Sequence, residues 1–425
     1  VVDPRGHPNP ASPTTMVPSS PLPASPAPRP AFARWMGTTN QITRTFLAAG
    51  AIPDLINVAG GLPDPDVYPT ERMAEIARRA VAEHPDEVLG YGPVEGLPAL
   101  RDALARRLGS PALPLTRDNV LVTTSGMQAL DLVGKVLLDE GGLIAGQHPT
   151  YLGALDAWRP RSPTFRNLVL DAPGFDAHRA LTGAQFAYAV PNFSNPTGRL
   201  VGLETRRALV AAAHDTGTWL VEDDPYGTLL YDGAPLPRLI ELSAQAAPGA
   251  PYAGPVVSMG TLSKEIAPGL RVGWIVAAPA MIQALTLAKQ GSDLCTSGVT
   301  QRIALAAIET GLIEAIRPAV VALYRARRDA LCAALEAHLS AWFTWEVPVG
   351  GMFVWATAKD PGLDTDALLP HALKAGICYA PSSVFDASGA NRRGMRINFT
   401  LNRPERLDEG MRRLGLAVAA LRGAA

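Results

Sequence analysis

The chain has 425 residues, 47% of them hydrophobic, and 38 Lys+Arg against 39 Asp+Glu give a net charge of −1. That length allows two or three domains with sizeable cores, and the even balance, with no dense Lys/Arg tract, excludes a global field for nucleic acid or an anionic membrane. Three scattered cysteines, Cys295, Cys332 and Cys378, suggest neither a disulfide framework nor metal-ligand spacing and fit a reducing, cytoplasmic compartment, and no run of about 18 apolar residues exists to span a bilayer.

Residues 1–34 are rich in Pro, Ser and Ala, with almost no large apolar side chains. Such a segment cannot bury enough surface to offset its ordering entropy and is predicted to be disordered. It lacks the apolar core of a secretory signal, and its prolines argue against the amphipathic helix of a transit peptide. The chain begins at Val1, so Met16 and Met36 are other candidate starts. A helix-like stretch runs from Arg34 to about 49, and the loop Ile56-Asn-Val-Ala-Gly-Gly61-Leu-Pro63 follows. Its glycine pair allows backbone to approach a ligand closely, although alone it reads as an ordinary loop.

Helical periodicity covers 70–83 and 97–109, on either side of the turn-rich Tyr91-Gly-Pro-Val-Glu-Gly96. Strands are then predicted at 119–124, 142–146, 165–170, 186–191, 218–223, 256–260 and 271–277, with helices at 127–138, 151–158 and 204–214. This alternation predicts an α/β domain with a mostly parallel seven-stranded sheet. Ligands of such sheets sit beyond the carboxyl ends of the strands. Those ends carry Thr124-Ser-Gly126-Met127, whose free N–H groups suit a phosphate, His148-Pro-Thr-Tyr151, Asn195-Pro196-Thr-Gly198, and Glu222-Asp223-Asp224-Pro-Tyr226. Asn195, before a proline, is held out of the helical region, and a cis bond is open to it. An acid at the end of an apolar strand reads either as a ligand-facing carboxylate or as a helix cap.

The stretch most loaded with chemistry is Met259-Gly-Thr261-Leu-Ser263-Lys264-Glu-Ile-Ala-Pro-Gly-Leu-Arg271. A lysine among small and apolar neighbours loses hydration, its pKa falls, and it becomes a nucleophile toward carbonyls. Arg271 is a fixed cation suited to a phosphate. An aldehyde carrying a phosphate is what the pair would hold, and pyridoxal phosphate (PLP) fits. The plain alternative is a surface Lys and Arg on a Pro-Gly loop. Beyond this stretch come a long helix at about 312–339, strands at 343–347 and 352–357, a helix near 364–375, a strand opening on Arg396 and a last helix from about Pro404. They form a smaller α+β unit. The expected organisation is a disordered segment 1–34, an arm 35–69, a large domain 70–310 and a small domain 311–425.

Taken in order, Gly60-Gly61-Leu-Pro63, Tyr91-Gly-Pro-Val-Glu-Gly, Asn195-Pro-Thr-Gly, Asp223-Asp-Pro-Tyr226, Ser263-Lys264 through Arg271, Gly350-Gly-Met-Phe353 and Arg396-Ile-Asn-Phe resemble the fold-type-I PLP enzymes of the class I/II aminotransferases. The resemblance covers roughly 36–421 and is nearest to the branch of 2-aminoadipate, aromatic and multi-substrate aminotransferases. It implies a catalytic Lys264 that forms the aldimine and shuttles the proton, with Asp223 on the pyridine nitrogen and Asn195 and Tyr226 on the ring hydroxyl. Tyr151 would stack on the ring. Gly126, Met127, Thr261, Ser263 and Arg271 would hold the phosphate, and Tyr91 would reach it from the partner of a homodimer. Arg396 would grip the substrate carboxylate with help from Gly61 and Asn195. No metal is implied. The implied reaction moves an amino group from an L-amino acid to a 2-oxo acid such as 2-oxoglutarate. Departures at Glu265, Cys295 and Ser382 bear on substrate preference. Thr261 for serine and Gly126 for Ser or Ala bear little on the cofactor. The same fold also hosts β-lyases, decarboxylases, specialised-metabolism enzymes and non-catalytic PLP-binding regulators. A regulator would need a basic DNA-binding domain, for which residues 1–34 are too short and too proline-rich.

Overall fold

The computed structural model describes residues 32–38, 52–246, 248 and 250–423, in two units, Val1–Thr39 and Asn40–Ala425. In the first unit Arg34–Thr38 form a short 3-10 helix. The remainder of the helix-like stretch to 49, and the segment expected to be disordered up to residue 31, lie outside the described residues.

In the second unit a short strand β1, Ile56–Asn57, is followed by seven strands: β2 Val120–Thr123, β3 Leu143–Gln147, β4 Thr164–Leu168, β5 Phe186–Ala189, β6 Trp219–Asp223, β7 Val256–Thr261 and β8 Gly273–Val276. They make one sheet in the order β2-β8-β7-β6-β5-β3-β4. β8 is antiparallel to both its neighbours, β2 and β7, and the remaining pairs are parallel. The central strands are buried on both faces, so they read in sequence as apolar runs rather than as alternating ones.

The two-residue period still sorts side chains between two cores. Phe186, Tyr188, Val221, Met259 and Ile275 pack in one, and Ala187, Leu220, Val256 and Val276 in the other. Continuing the alternation to the strand ends puts Asp223, Thr261 and Gly273 on the face of Tyr188. That face is covered by helix Ser125–Leu137, held through Trp158. The fully buried Trp158 ring meets Phe186 and Tyr188 edge-on at centroid distances of 5.0 and 5.1 Å. Its indole N–H donates to the Leu130 carbonyl at 2.9 Å.

The rest of the chain builds a second sheet. β9 Phe343–Trp345, β10 Phe353–Ala358, β12 Ala380–Pro381 and β13 Gly394–Asn398 pair antiparallel in the order β12-β13-β10-β9, while β11, Ile377–Cys378, pairs parallel with β1. Helices Leu312–Leu339 and Pro404–Gly423 pack against each other. Arg396, expected at the head of its strand, sits in the middle of β13, opposite Trp355 and Ala380. Likewise β8 starts at Gly273 and not at 271. Arg271 instead closes a 3-10 turn, Pro268–Leu270, in the left-handed region. Among the described residues no helix is long and apolar enough to cross a membrane.

Removing the ring that ties the helix to the sheet tests this packing. Trp158→Ala should lower the free energy of unfolding by about 3–5 kcal/mol, read as a lower urea midpoint at unchanged slope.

Candidate active site

The carboxyl ends of β5, β6 and β7 meet the start of helix Ser125–Leu137, because β2 runs parallel to β7 and delivers that helix to the same edge. A cavity of about 150 Å³ opens there. Gly126, Met127, Tyr151, Asn195, Asp223, Tyr226, Thr261, Ser263, Lys264 and Arg271 all line it.

Lys264 lies just past β7, and its Nζ donates to the Gly61 carbonyl at 2.7 Å. Part of the side chain faces the cavity, yet the protein packed around Nζ removes most of its hydration. Burial first, then the positive charges of Arg396 and Arg271, lower its pKa from 10.5 to about 8. Gly61 is fixed from behind. A Cβ there would come within 2.9 Å of the Phe353 ring, and Thr400 Oγ1 donates to the next carbonyl, Leu62, at 2.8 Å. A buried Arg327–Asp64 ion pair anchors the same segment.

Asp223 ends β6 with its Oδ2 accepting from Tyr188 OH at 2.7 Å. Burial raises its pKa to about 7, with the Asp224 charge adding to the rise and the Tyr188 bond opposing it. The partner is a phenol and not a cation, so the carboxylate would be stabilised by a positive charge brought into the cavity.

Asn195, joined to Pro196 by a cis bond, faces two ways. Its Nδ2 donates to Tyr226 OH at 3.3 Å, and its Oδ1 accepts from Arg396 Nη1 at 2.7 Å. Tyr226 is buried, meets Phe353 edge-on, and has its hydroxyl pKa raised by burial. Arg396 lies over the rings of Phe353 and Phe385, 4.4 and 4.8 Å from their centroids, and its second terminal nitrogen donates to the Ala59 carbonyl. Burial brings its pKa down to about 10. Among the described residues its buried Nε has no hydrogen-bond partner. A desolvated guanidinium with a spare N–H is suited to an incoming carboxylate.

On the opposite side Arg271 donates to Ser125 Oγ and, at 3.2 Å, to the Pro268 carbonyl. Thr261 and Ser263 share a hydroxyl–hydroxyl bond of 2.9 Å. Ser125 and Arg271 both have positive φ, 69° and 52°, a costly conformation for residues with a Cβ that marks functional turns. β8 fits under this turn because Gly273 has no side chain. A Cβ there would lie 2.7 Å from the Ser125 carbonyl carbon and 2.9 Å from the Gly126 nitrogen. The first-turn N–H groups of Gly126 and Met127 belong to those a helix start leaves without intrahelical partners. Tyr151 stands just before helix Leu152–Trp158, its hydroxyl 3.6 Å from Met127 Sδ.

Gly61 and Arg396 do not line the cavity but bond to Lys264 and Asn195, which do, whereas Tyr91 is left apart, 90% exposed and outside the cavity. Glu265, next to the lysine, pairs with Arg107 and lines a separate groove of about 690 Å³ that holds none of Lys264, Asp223 or Arg396. Asp224 caps its own turn by accepting from Gly227 N at 2.8 Å. Ser125, Tyr188 and Gly273 were not singled out by sequence reasoning. A small hydroxyl residue directly after a strand was the available signal for Ser125. The other two read as ordinary strand residues.

A desolvated lysine, a buried carboxylate short of a cation, and a cradle of hydroxyls, N–H groups and one arginine together fit a phosphorylated heteroaromatic aldehyde. They define a PLP-dependent enzyme of the α/β type. Comparison with known proteins agrees. The family profile "Aminotransferase class I and II" matches residues 53–414. The chain is 36% identical to aromatic-amino-acid aminotransferase 1 of Thermococcus litoralis, over 87% of this chain and 89% of that one. It is also 36% identical to 2-aminoadipate transaminase of Thermus thermophilus, over 92% and 97%. Among solved structures, the alpha-aminoadipate aminotransferase of Thermus thermophilus, complexed with N-(5'-phosphopyridoxyl)-L-leucine, superposes with a TM-score of 0.84 at 34% identity, covering 93% of this chain and 98% of that one. The chain belongs to the class I and II aminotransferase family and is a PLP-dependent aminotransferase.

The lowered pKa of Lys264 gives a direct test. In the cofactor-free protein its labelling by an amine-reactive reagent, followed by peptide mass spectrometry, should rise with pH about a midpoint near 8. Arg396→Met removes a repelling cation and should move that midpoint upward.

Proposed function

We propose that this aminotransferase takes the amino group of an L-amino acid and delivers it to 2-oxoglutarate, with the residues above in the following roles. The reading is carried by Lys264, which lines the cavity just past β7, and by Arg396 of the second sheet, which donates to Asn195 on the same cavity wall. PLP supplies an aldehyde and an electron-withdrawing ring, which make the α-hydrogen of a bound amino acid acidic.

Arg396 binds the substrate α-carboxylate, and its bond to Asn195 and its place between two phenyl rings fix the approach of that carboxylate. Lys264, with a pKa near 8, holds or releases a proton at Nζ near neutral pH, as a general acid–base group in both directions requires. Asp223 would hold the ring nitrogen and, as a carboxylate, favour its protonated form. Tyr188 orients the carboxylate from below. Tyr226 and Asn195 bond the ring hydroxyl, and Tyr151 covers the ring. Gly126, Met127, Thr261, Ser263 and Arg271 take the phosphate. Tyr91, exposed here, completes the site of a second copy in a homodimer. The same reading treats 35–69 as an arm, 70–310 as the cofactor domain and 311–425 as the small domain of a cytoplasmic enzyme. The relatives named for aromatic amino acids and 2-aminoadipate support a donor range that spans aromatic and acidic side chains.

The test is a half-reaction. Adding one L-amino acid to the holoenzyme should convert bound PLP to pyridoxamine phosphate and release one equivalent of 2-oxo acid, and 2-oxoglutarate should reverse it. Release of carbon dioxide, or of a β-substituent with the PLP unchanged, would sink the reading. Arg396→Lys, which loses the planar fork, should raise KM for the amino acid about 10- to 100-fold. Asp223→Asn should lower kcat on the order of a hundredfold.

A further inference from the structure

Lys289 is fully buried near the end of helix Pro279–Gln290, and the cavity does not reach it. Its Nζ donates to Asp293 Oδ1 at 2.7 Å. Asp293 Oδ2 accepts from Thr124 Oγ1 at 2.9 Å. Gln128 Oε1 accepts from the Thr124 N–H at 2.7 Å, and Thr296 Oγ1 lies 3.2 Å from Thr124 Oγ1. Thr124 immediately precedes the turn at Ser125–Met127. We infer that Lys289, acting through Asp293, is a positioning residue for the cofactor phosphate. The inference rests on the reading that this turn takes the phosphate.

The cap chemistry carries the inference. Thr124 is the N-cap of helix Ser125–Leu137, where a threonine hydroxyl ordinarily accepts from an N–H of the first turn. Here it makes no cap bond: the hydroxyl donates to Asp293 and, with that proton committed, accepts from Thr296, and this pair of bonds keeps it turned away from the first turn. The N–H groups it would have taken are left for an anion. Asp293 holds the hydroxyl most strongly as a carboxylate, and a carboxylate one hydroxyl away from a phosphate turn opposes the dianion. Lys289 answers both needs: it keeps Asp293 ionised and cancels its charge. Stability alone does not explain a buried lysine, since exchanging a buried ion pair for apolar groups is often neutral or stabilising. Its one ion-pair partner among the described residues is Asp293.

Without Lys289, Thr124 is free to turn back and cap the helix, in competition with the phosphate. The test titrates full-length cofactor-free protein with PLP and, separately, with pyridoxal, which has the aldehyde and ring but no phosphate. Lys289→Met should weaken PLP about tenfold or more and leave pyridoxal within about twofold. Lys289→Arg, which keeps the cation, should recover most of the loss. Asp293→Ala cuts the same link from its solvent-facing end and should behave like Lys289→Met, even if the buried substitution prevents folding. An unchanged ratio of PLP to pyridoxal affinity in the folded variants, whether both fall together or neither does, overturns the inference. A wild-type protein that holds PLP no more tightly than pyridoxal would remove the phosphate assignment of the turn itself, and the inference with it.

Discussion

The structure depends on keeping one ammonium group poorly hydrated between two guanidinium groups. Lys264 is pushed toward its neutral form by burial and by Arg396 and Arg271, and it is held in place by one backbone carbonyl, Gly61. Each of these comes from a different part of the chain. Gly61 belongs to the segment after β1, Arg271 to the turn before β8, and Arg396 to the second sheet. The lysine therefore acquires its reactivity when the whole of residues 56–398 is folded around it.

The large sheet does the rest of the positioning through its two-residue period. Tyr188, Asp223, Thr261 and Gly273 share a face, so one layer of side chains supplies the carboxylate, its phenolic support, a hydroxyl and a gap for the Ser125 turn. Strain is concentrated where the ligand would sit. Ser125 and Arg271, two residues with positive φ, are bonded to each other across that end of the cavity. Tight packing from the Trp158 cluster and the Arg327–Asp64 pair hold the surrounding segments in place.

Much of this was legible in the sequence because strand ends announce themselves. An apolar run that stops at Asn195-Pro196, at Asp223 or shortly before Lys264 places polar chemistry at a known edge, and the structure gathers those residues at one cavity. The seven strands of the large sheet fall within two residues of their predicted bounds, most of them being short buried apolar runs, whereas the two-residue strands β1, β11 and β12 were not predicted. What the sequence hid were roles that exist through tertiary neighbours. Tyr188 reads as one more core aromatic until Asp223 is placed beside it. Gly273 reads as a strand glycine until the Ser125 turn is laid over it. Lys289 carries no signal of its own in the sequence, yet it is wholly enclosed. Arg396 was assigned correctly to a strand but to its head, because nothing in the sequence marks Gly394 as already paired. Tyr91 stands outside the cavity of its own chain, so neither its loop nor the fold around it accounts for a role at this site.

The central claim is that the nitrogen of Lys264 is the one that meets the cofactor aldehyde. Reduction of the PLP-loaded protein with borohydride, followed by proteolysis and mass spectrometry, tests it most directly. The account expects a phosphopyridoxyl group on the peptide containing Lys264 at close to one per chain, and none in Lys264→Ala. Stoichiometric labelling of any other lysine, or a chain left unmodified after loading, would contradict it.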